Sequence, residues 1–280
     1  MNPNRTIALV TGSTAGIGFV TARRLAEAGA AVYLVGRTPE RLAAAKASIE
    51  ASVSGATVGT FAADLSLMSE VRRLAEQVKA EVPGLNLLVN NAGGLFQSRV
   101  VTAEGFELTF AFNHLSYFLL TNLLLPVLKA QPSARIVSVA SDAHRAARLD
   151  FDDLQSERSF FHFRVYGTSK LMNILFTKAL ARRLVGTNVT ANCLHPGFVD
   201  SEFGDNNKTF FGKVVWLTKR FAISVERGAE TSVYLATSPE VAGVSGEYFH
   251  KCRVKKPTSA ARDDAAGERL WEESTRLVLL

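Results

Sequence analysis

The 280-residue sequence predicts an α/β fold, a doubly wound parallel sheet with helices on both faces. Three observations predict it. Short β-rich runs alternate with longer helical patterns along most of the chain, which calls for right-handed crossovers and a sheet covered on both sides. The first strand–helix joint is rich in glycine. Polar residues also follow five successive strand ends, where open α/β sheets bind their ligands.

The elements follow in order. Ile7-Ala8-Leu9-Val10 reads as a buried strand, and Phe19 to Ala26 as the helix behind it. Further strands are read at Ala31 to Val35, Thr57 to Ala62, Leu85 to Val89, Ile136 to Val139 and Val189 to Leu194. Helices fit between them at Pro39 to Ser52, Leu67 to Ala80, Thr102 to Lys129 and Phe163 to Leu184. After Pro196 the pattern loosens into an aromatic-rich stretch, Phe203 to Phe221. A helix at Val225 to Thr237, a short strand near Tyr248 and an amphipathic C-terminal helix complete the chain. No repeat, low-complexity tract or linker interrupts it, so residues 1–280 read as one domain. The stretch 201–224 is expected to act as a lid that roofs a bulky apolar substrate.

Composition narrows the function. A hydrophobic content of 47% supports a large core. Cys193 and Cys252 lack metal-ligand spacing and suit a reducing compartment, so no metal is expected. The start Met1-Asn2-Pro3-Asn4-Arg5 is polar, unlike a signal peptide. No unbroken apolar run approaches the roughly 20 residues of a membrane span. The expectation is a soluble cytoplasmic protein without a transmembrane anchor, monomer or homo-oligomer. The net charge of +6 is spread out except at Lys251-Cys252-Arg253-Val254-Lys255-Lys256. That cluster reads as a solvated loop rather than a nucleic-acid or membrane patch.

Two motifs carry chemistry. Thr11-Gly12-Ser13-Thr14-Ala15-Gly16-Ile17-Gly18 joins the first strand to its helix, with three residues between the first two glycines. Glycines there let backbone N–H groups approach a pyrophosphate at the positive end of the helix. Downstream, Tyr166 and Lys170 lie four apart on one helix face. An ammonium beside a phenol favours the phenolate and lowers the tyrosine pKa, preparing it for proton transfer to or from a substrate oxygen. The remaining polar strand ends are Arg37, Asp64, Asn91 and Ser141. Where a dinucleotide site specific for NAD places an acid, the second strand ends in Val35-Gly36-Arg37-Thr38. A guanidinium there pairs with a 2′-phosphate, so NADP is the expected cofactor. Thr38 can add a hydroxyl and cap the next helix.

Taken together these motifs resemble the short-chain dehydrogenase/reductase family, and within it the retinol dehydrogenase-like branch. The resemblance runs end to end, through Asp64-Leu65, Asn90-Asn91-Ala92-Gly93, Phe112-Asn113-His114-Leu115, Val139-Ala140-Ser141-Asp142-Ala143-His144, Tyr166-Gly167-Thr168-Ser169-Lys170, His195-Pro196-Gly197 and Leu270-Trp271-Glu272. It implies a Rossmann-type fold and a tetrad of Asn113, Ser141, Tyr166 and Lys170. In that scheme Tyr166 is the acid/base and Ser141 holds the substrate oxygen. Lys170 binds the nicotinamide ribose and lowers the Tyr166 pKa, and Asn113 holds a water in the proton path. Ser138 lies close by, but strand alternation puts it on the other face. The same resemblance assigns the cofactor to Gly12, Ser13, Thr14, Gly16, Ile17, Gly18, Arg37, Asp64, Leu65, Asn91, Gly93, Tyr166, Lys170, Pro196, Val199 and Ser201. His144 and His195 are read as loop-shaping residues. The implied activity is NADPH-dependent hydride transfer to or from an apolar aldehyde, ketone or alcohol. The alternatives are a catalytically silent NADP-binding regulator, a methyltransferase on a nucleotide fold, or reduction of a C=C bond.

Overall fold

The computed structural model describes residues 5–199 and 223–279. The expected lid at 201–224 therefore lies outside the described residues apart from Ile223 and Ser224, and so does Ser201.

Among the described residues, seven parallel strands and one antiparallel strand form the sheet. They are β1 (Ile7–Thr11), β2 (Ala31–Gly36), β3 (Thr57–Ala62), β4 (Leu87–Asn90), β5 (Ala134–Val139), β6 (Val189–Leu194), β7 (Tyr248–His250) and β8 (Arg253–Val254). Their order is β3-β2-β1-β4-β5-β6-β7-β8, and only β8 runs antiparallel, against β7. The chain order reverses between β1 and β4, which opens a crevice at the carboxyl ends of those two strands.

The period-2 alternation of the strands feeds two cores. Ala8 and Val10 point to the side covered by α1 (Gly16–Glu27), α2 (Pro39–Ser52) and α6 (Val225–Thr237). Leu9 and Val35 point to the other side. That side is covered by α3 (Met68–Glu81), α4 (Leu108–Lys129), α5 (His162–Arg183) and α7 (Asp264–Val278). In α7, Trp271 packs edge-on against Phe118 at 4.9 Å and stacks on Phe176 at 5.8 Å. The Arg183 guanidinium lies 4.1 Å from the Trp271 ring centre.

Three elements differ from the sequence reading. The helix expected from Thr102 begins at Leu108. Gly105 takes φ +84° in a turn closed by Gly105 N–H to the Thr102 carbonyl, and Val101 bridges Glu107. The buried Glu107 carboxylate then caps the helix by accepting from the N–H groups of Thr109 and Phe110. The basic run 251–256 is the turn and second strand of a hairpin rather than a free loop, and its Lys255 is ion-paired to Asp142. Finally, α4 is long and apolar enough by composition to cross a membrane, although its sequence is no unbroken apolar run. Of its most apolar window, 67% is buried inside the fold.

Candidate active site

Each strand end carries its expected polar residue to the same edge of the sheet. Gly12 follows β1, Arg37 follows β2, Asp64 follows β3 by two residues, Asn91 follows β4 and Ser141 follows β5 by two. The glycine turn shows why its residues are what they are. Gly12 has φ +63°, and a Cβ there would lie 2.8 Å from the Ala92 Cα. A Cβ on Gly18 would lie 2.2 Å from the Gly12 carbonyl oxygen and 2.3 Å from Asn91 Nδ2. Asn91 fastens the turn by donating Nδ2–H to the carbonyls of Thr11 and Gly12, at 2.9 and 3.1 Å. Thr11, which the sequence reading passed over, accepts the N–H groups of Asn91 and Ala92 on its hydroxyl.

The N-terminus of α1 suits a pyrophosphate. Its N-cap, Ala15, offers no side-chain acceptor, and the first turn contains no acid. The helix therefore leaves its first N–H groups and its positive dipole end to an anion. Ser13 is committed elsewhere. It is fully buried, its N–H goes to the Val35 carbonyl, its hydroxyl donates to Val10, and Val35 N–H donates to that hydroxyl. It braces β1 to β2. Thr14 lies over the end of β2, where a Cβ on Gly36 would meet its methyl group at 2.6 Å. Arg37 is exposed there and has no ion-pair partner among the described residues. Thr38 occupies the N-cap position of α2, but its side chain makes no capping bond, contrary to the sequence reading. Asp64 turns one carboxylate oxygen inward to Ser66, and Leu65 is buried beside it.

The reacting groups converge from β4, β5, α4 and α5. Ser141 caps a short 3₁₀ turn, Asp142–Ala146, and its hydroxyl accepts from Ala143 N–H at 3.2 Å. The Tyr166 phenol lies within reach of the Ser141 side chain, which favours its ionised form. Lys170, one turn further along α5, is buried and donates Nζ–H to the Val139 carbonyl at 3.0 Å. Its ammonium lies 5.6 Å from the Tyr166 ring centre and 5.7 Å from that of Tyr117. Gly93 faces the same place, since a Cβ there would meet Lys170 Nζ at 3.1 Å and Asn113 Oδ1 at 3.5 Å.

Asn113 sits in a π-helical turn, Ala111–Leu115, inside α4. Such turns often mark functional positions, and the sequence gives no sign of this one. Asn113 is tied down on all sides. Its Oδ1 accepts Gly94 N–H at 2.8 Å, while its Nδ2 donates to the Gly94 carbonyl and the Ser169 hydroxyl. Its own carbonyl accepts from Asn173 Nδ2 at 2.9 Å. His114, the next residue, is buried between Asn173 and Ser274 of α7.

The electrostatics of the pair differ from the sequence reading. The Tyr166 hydroxyl is pushed up to about 12 by burial, with the neighbouring Ser141 side chain pulling the other way. Lys170 is brought down to about 7, also by burial. Two groups removed from water each favour the neutral form, and this outweighs the pull of ammonium on phenol. The structure thus holds a proton on Tyr166, ready to be given to an oxygen.

Beyond β6, Gly197 takes φ +102°, and Val199 bridges Ile223. Gly228 of α6 lies against both Val199 and Ile17, so the segment after Pro196 meets the glycine turn. His195 and His144 contact the chain around them. His195 stacks on His250 at 4.9 Å, and His144 bonds the Ser141 carbonyl.

Comparison with known proteins agrees with this geometry. The family model for short chain dehydrogenase matches residues 6–210. Human retinol dehydrogenase 14 is 42% identical, covering 96% of this chain and 85% of its own. Human retinol dehydrogenase 13 is 39% identical over 99% of this chain and 85% of its own. Mouse retinol dehydrogenase 12 is 40% identical over 97% and 86%. Among solved structures, a Mycobacterium paratuberculosis protein superposes with TM-score 0.78 at 30% identity, covering 99% of this chain and 94% of that one. The 3-oxoacyl (acyl-carrier-protein) reductase of Agrobacterium tumefaciens, solved with NADP bound, gives TM-score 0.70 at 28% identity over 87% and 92%. This chain belongs to the short-chain dehydrogenase/reductase family, in its retinol dehydrogenase-like branch.

Proposed function

We propose that this oxidoreductase uses NADPH and transfers hydride between the nicotinamide and the carbonyl or hydroxyl carbon of a bulky apolar substrate, with Tyr166 as acid/base. The observation that carries the reading is the convergence of Tyr166, Ser141 and the buried Lys170, whose ammonium lies 5.6 Å from the Tyr166 ring centre. When bound, the nicotinamide supplies or accepts the hydride.

The residues of the chain do the rest. The Ser141 hydroxyl turns from Ala143 to the substrate oxygen and holds it next to Tyr166. Tyr166 gives its phenolic proton to that oxygen as negative charge develops there. Lys170, poised near neutrality, supports the phenolate that remains. Asn113 and Gly93 keep the Lys170 pocket closed and polar. On the other side of the crevice, the first turn of α1 binds the pyrophosphate, and Arg37 with the Thr38 hydroxyl binds the 2′-phosphate. The NADP-bound structural relative supports that preference. The relatives named as retinol dehydrogenases support an apolar substrate, as do the exposed rings of Phe161, Phe163 and Phe198 on the segments flanking Tyr166 and Pro196.

The test is loss of NADPH absorbance over a panel of all-trans-retinal, decanal, benzaldehyde, acetone and an activated alkene. Long or aromatic aldehydes should have the highest kcat/KM. Preference for acetone would contradict the substrate class, and turnover of the alkene alone would favour C=C reduction.

A further inference from the structure

The turn that carries Ser141 is gripped by a part of the chain more than a hundred residues away. Asp142 directly follows Ser141. Its Oδ1 accepts from the Tyr248 hydroxyl at 2.8 Å and from Arg145 Nε at 3.2 Å, and its Oδ2 accepts from Lys255 Nζ at 2.6 Å. His195 Nε2 stands 3.7 Å from the same Oδ2. Tyr248 begins β7, Lys255 follows β8, and His195 opens the segment that leads through Pro196 and Gly197 to the glycine turn.

A second tie lies on the other flank. His144 donates from Nδ1 to the Ser141 carbonyl at 2.7 Å, and its Nε2 faces Thr258 N–H at 3.4 Å. Thr258 comes just after the same hairpin. The Arg145 bond to Asp142 and the His144 bond to the Ser141 carbonyl are local turn chemistry. The Tyr248 and Lys255 bonds span 106 and 113 residues. This gives Lys255 of the basic run 251–256 a role.

We infer that Asp142 and Lys255 are positioning residues: their ion pair, with Tyr248, locks the turn that presents Ser141 to Tyr166. The inference rests on the roles proposed for Ser141 and Tyr166. A one-sided release of the turn lets the Ser141 hydroxyl leave the line between substrate oxygen and phenol. A misplacement of about 1 Å there costs the chemical step up to roughly a hundredfold, while the pyrophosphate site on α1 is untouched.

The test compares Lys255→Met, Lys255→Arg and Asp142→Asn with wild type, using decanal and all-trans-retinal. The reductant is NADPH or NADPH carrying deuterium at both C4 positions of the nicotinamide. Lys255→Met and Asp142→Asn should lower kcat by at least about tenfold and raise the deuterium isotope effect on kcat. Both should keep the wild-type affinity for NADPH. Lys255→Arg, which restores the cation, should recover most of kcat. A Lys255→Met protein that melts earlier but keeps the wild-type kcat and isotope effect overturns the inference, because the pair is then structural only. If Asp142→Asn does not fold, the two Lys255 variants decide the matter alone. A wild type that transfers no deuterium to any aldehyde overturns the proposed function, and this inference with it. An active wild type matched by Lys255→Met overturns the inference alone.

Discussion

At the scale of single residues, the site was legible where chemistry demands a particular side chain and illegible where burial decides. Tyr166 and Lys170 stand out because proton transfer needs those groups at that spacing, Ser141 is the serine the family resemblance assigns, and the structure brings the three together. Their protonation could not be read, because desolvation depends on everything packed around Tyr166 and Lys170. The bracing roles of Thr11 and Ser13 were equally hidden, since a hydroxyl in a turn looks the same whether it binds phosphate or backbone. Arg37 is the residue whose role is most open to direct test. It is exposed and without an ion-pair partner among the described residues, so its replacement should leave stability unchanged. Arg37→Asp removes the cation offered to the 2′-phosphate and puts an acid beside a 2′-hydroxyl. A charge-assisted bond contributes about 1.5–3 kcal/mol, so the kcat/KM ratio of NADPH to NADH should fall at least about tenfold. An unchanged ratio would remove Arg37 from the cofactor site.

Among the elements, strands and helices followed from periodicity, and misreadings occurred where a turn or cap overrides it. Thr102 to Glu107 continues a helical pattern in sequence. Gly105 at positive φ and the inward carboxylate of Glu107 nevertheless delay the helix to Leu108. The strand β8 was missed because two residues of a basic run carry no period. The π turn around Asn113 was missed because it depends on the tertiary partners Gly94, Ser169 and Asn173. The glycine turn is the element with the least tolerance. Gly18→Ala places a methyl within 2.2 Å of the Gly12 carbonyl and 2.3 Å of Asn91 Nδ2. Backbone must therefore move, and the N–H groups at the head of α1 move with it. NADPH affinity, followed by fluorescence titration, should drop by roughly two orders of magnitude, equivalent to losing about one charge-assisted hydrogen bond. Gly29→Ala, whose Cβ meets nothing within 4 Å but whose φ is +86°, should cost some stability and leave NADPH binding intact.

For the whole molecule, the buried ionisable groups set how stability follows pH. Burial lowers His114 from 6.5 to about 4, and His195 falls likewise. An unfolded chain takes up these protons once the pH drops below about 6.5, whereas the folded chain refuses them until about 4. Stability from these groups is therefore complete above 6.5 and is lost as the pH falls from 6.5 to 4. For His114 alone this amounts to roughly 3 kcal/mol. Urea unfolding at pH 7 and pH 4.5 should show the loss, and His114→Gln should flatten it; a wild type equally stable at both would refute the burial of a neutral imidazole. The two-sided core and the sheet order behind these sites follow from the alternation of strands and helices, which is why the architecture was legible as a whole. The central claim is hydride transfer with Tyr166 as proton donor. Its most direct test is mass spectrometry of the alcohol formed from decanal and NADPH carrying deuterium at both C4 positions, with wild type and Tyr166→Phe. The account predicts one deuterium on the carbinol carbon from wild type, and from Tyr166→Phe almost no product despite unchanged NADPH binding. A Tyr166→Phe protein that forms deuterated alcohol at the wild-type rate would contradict it.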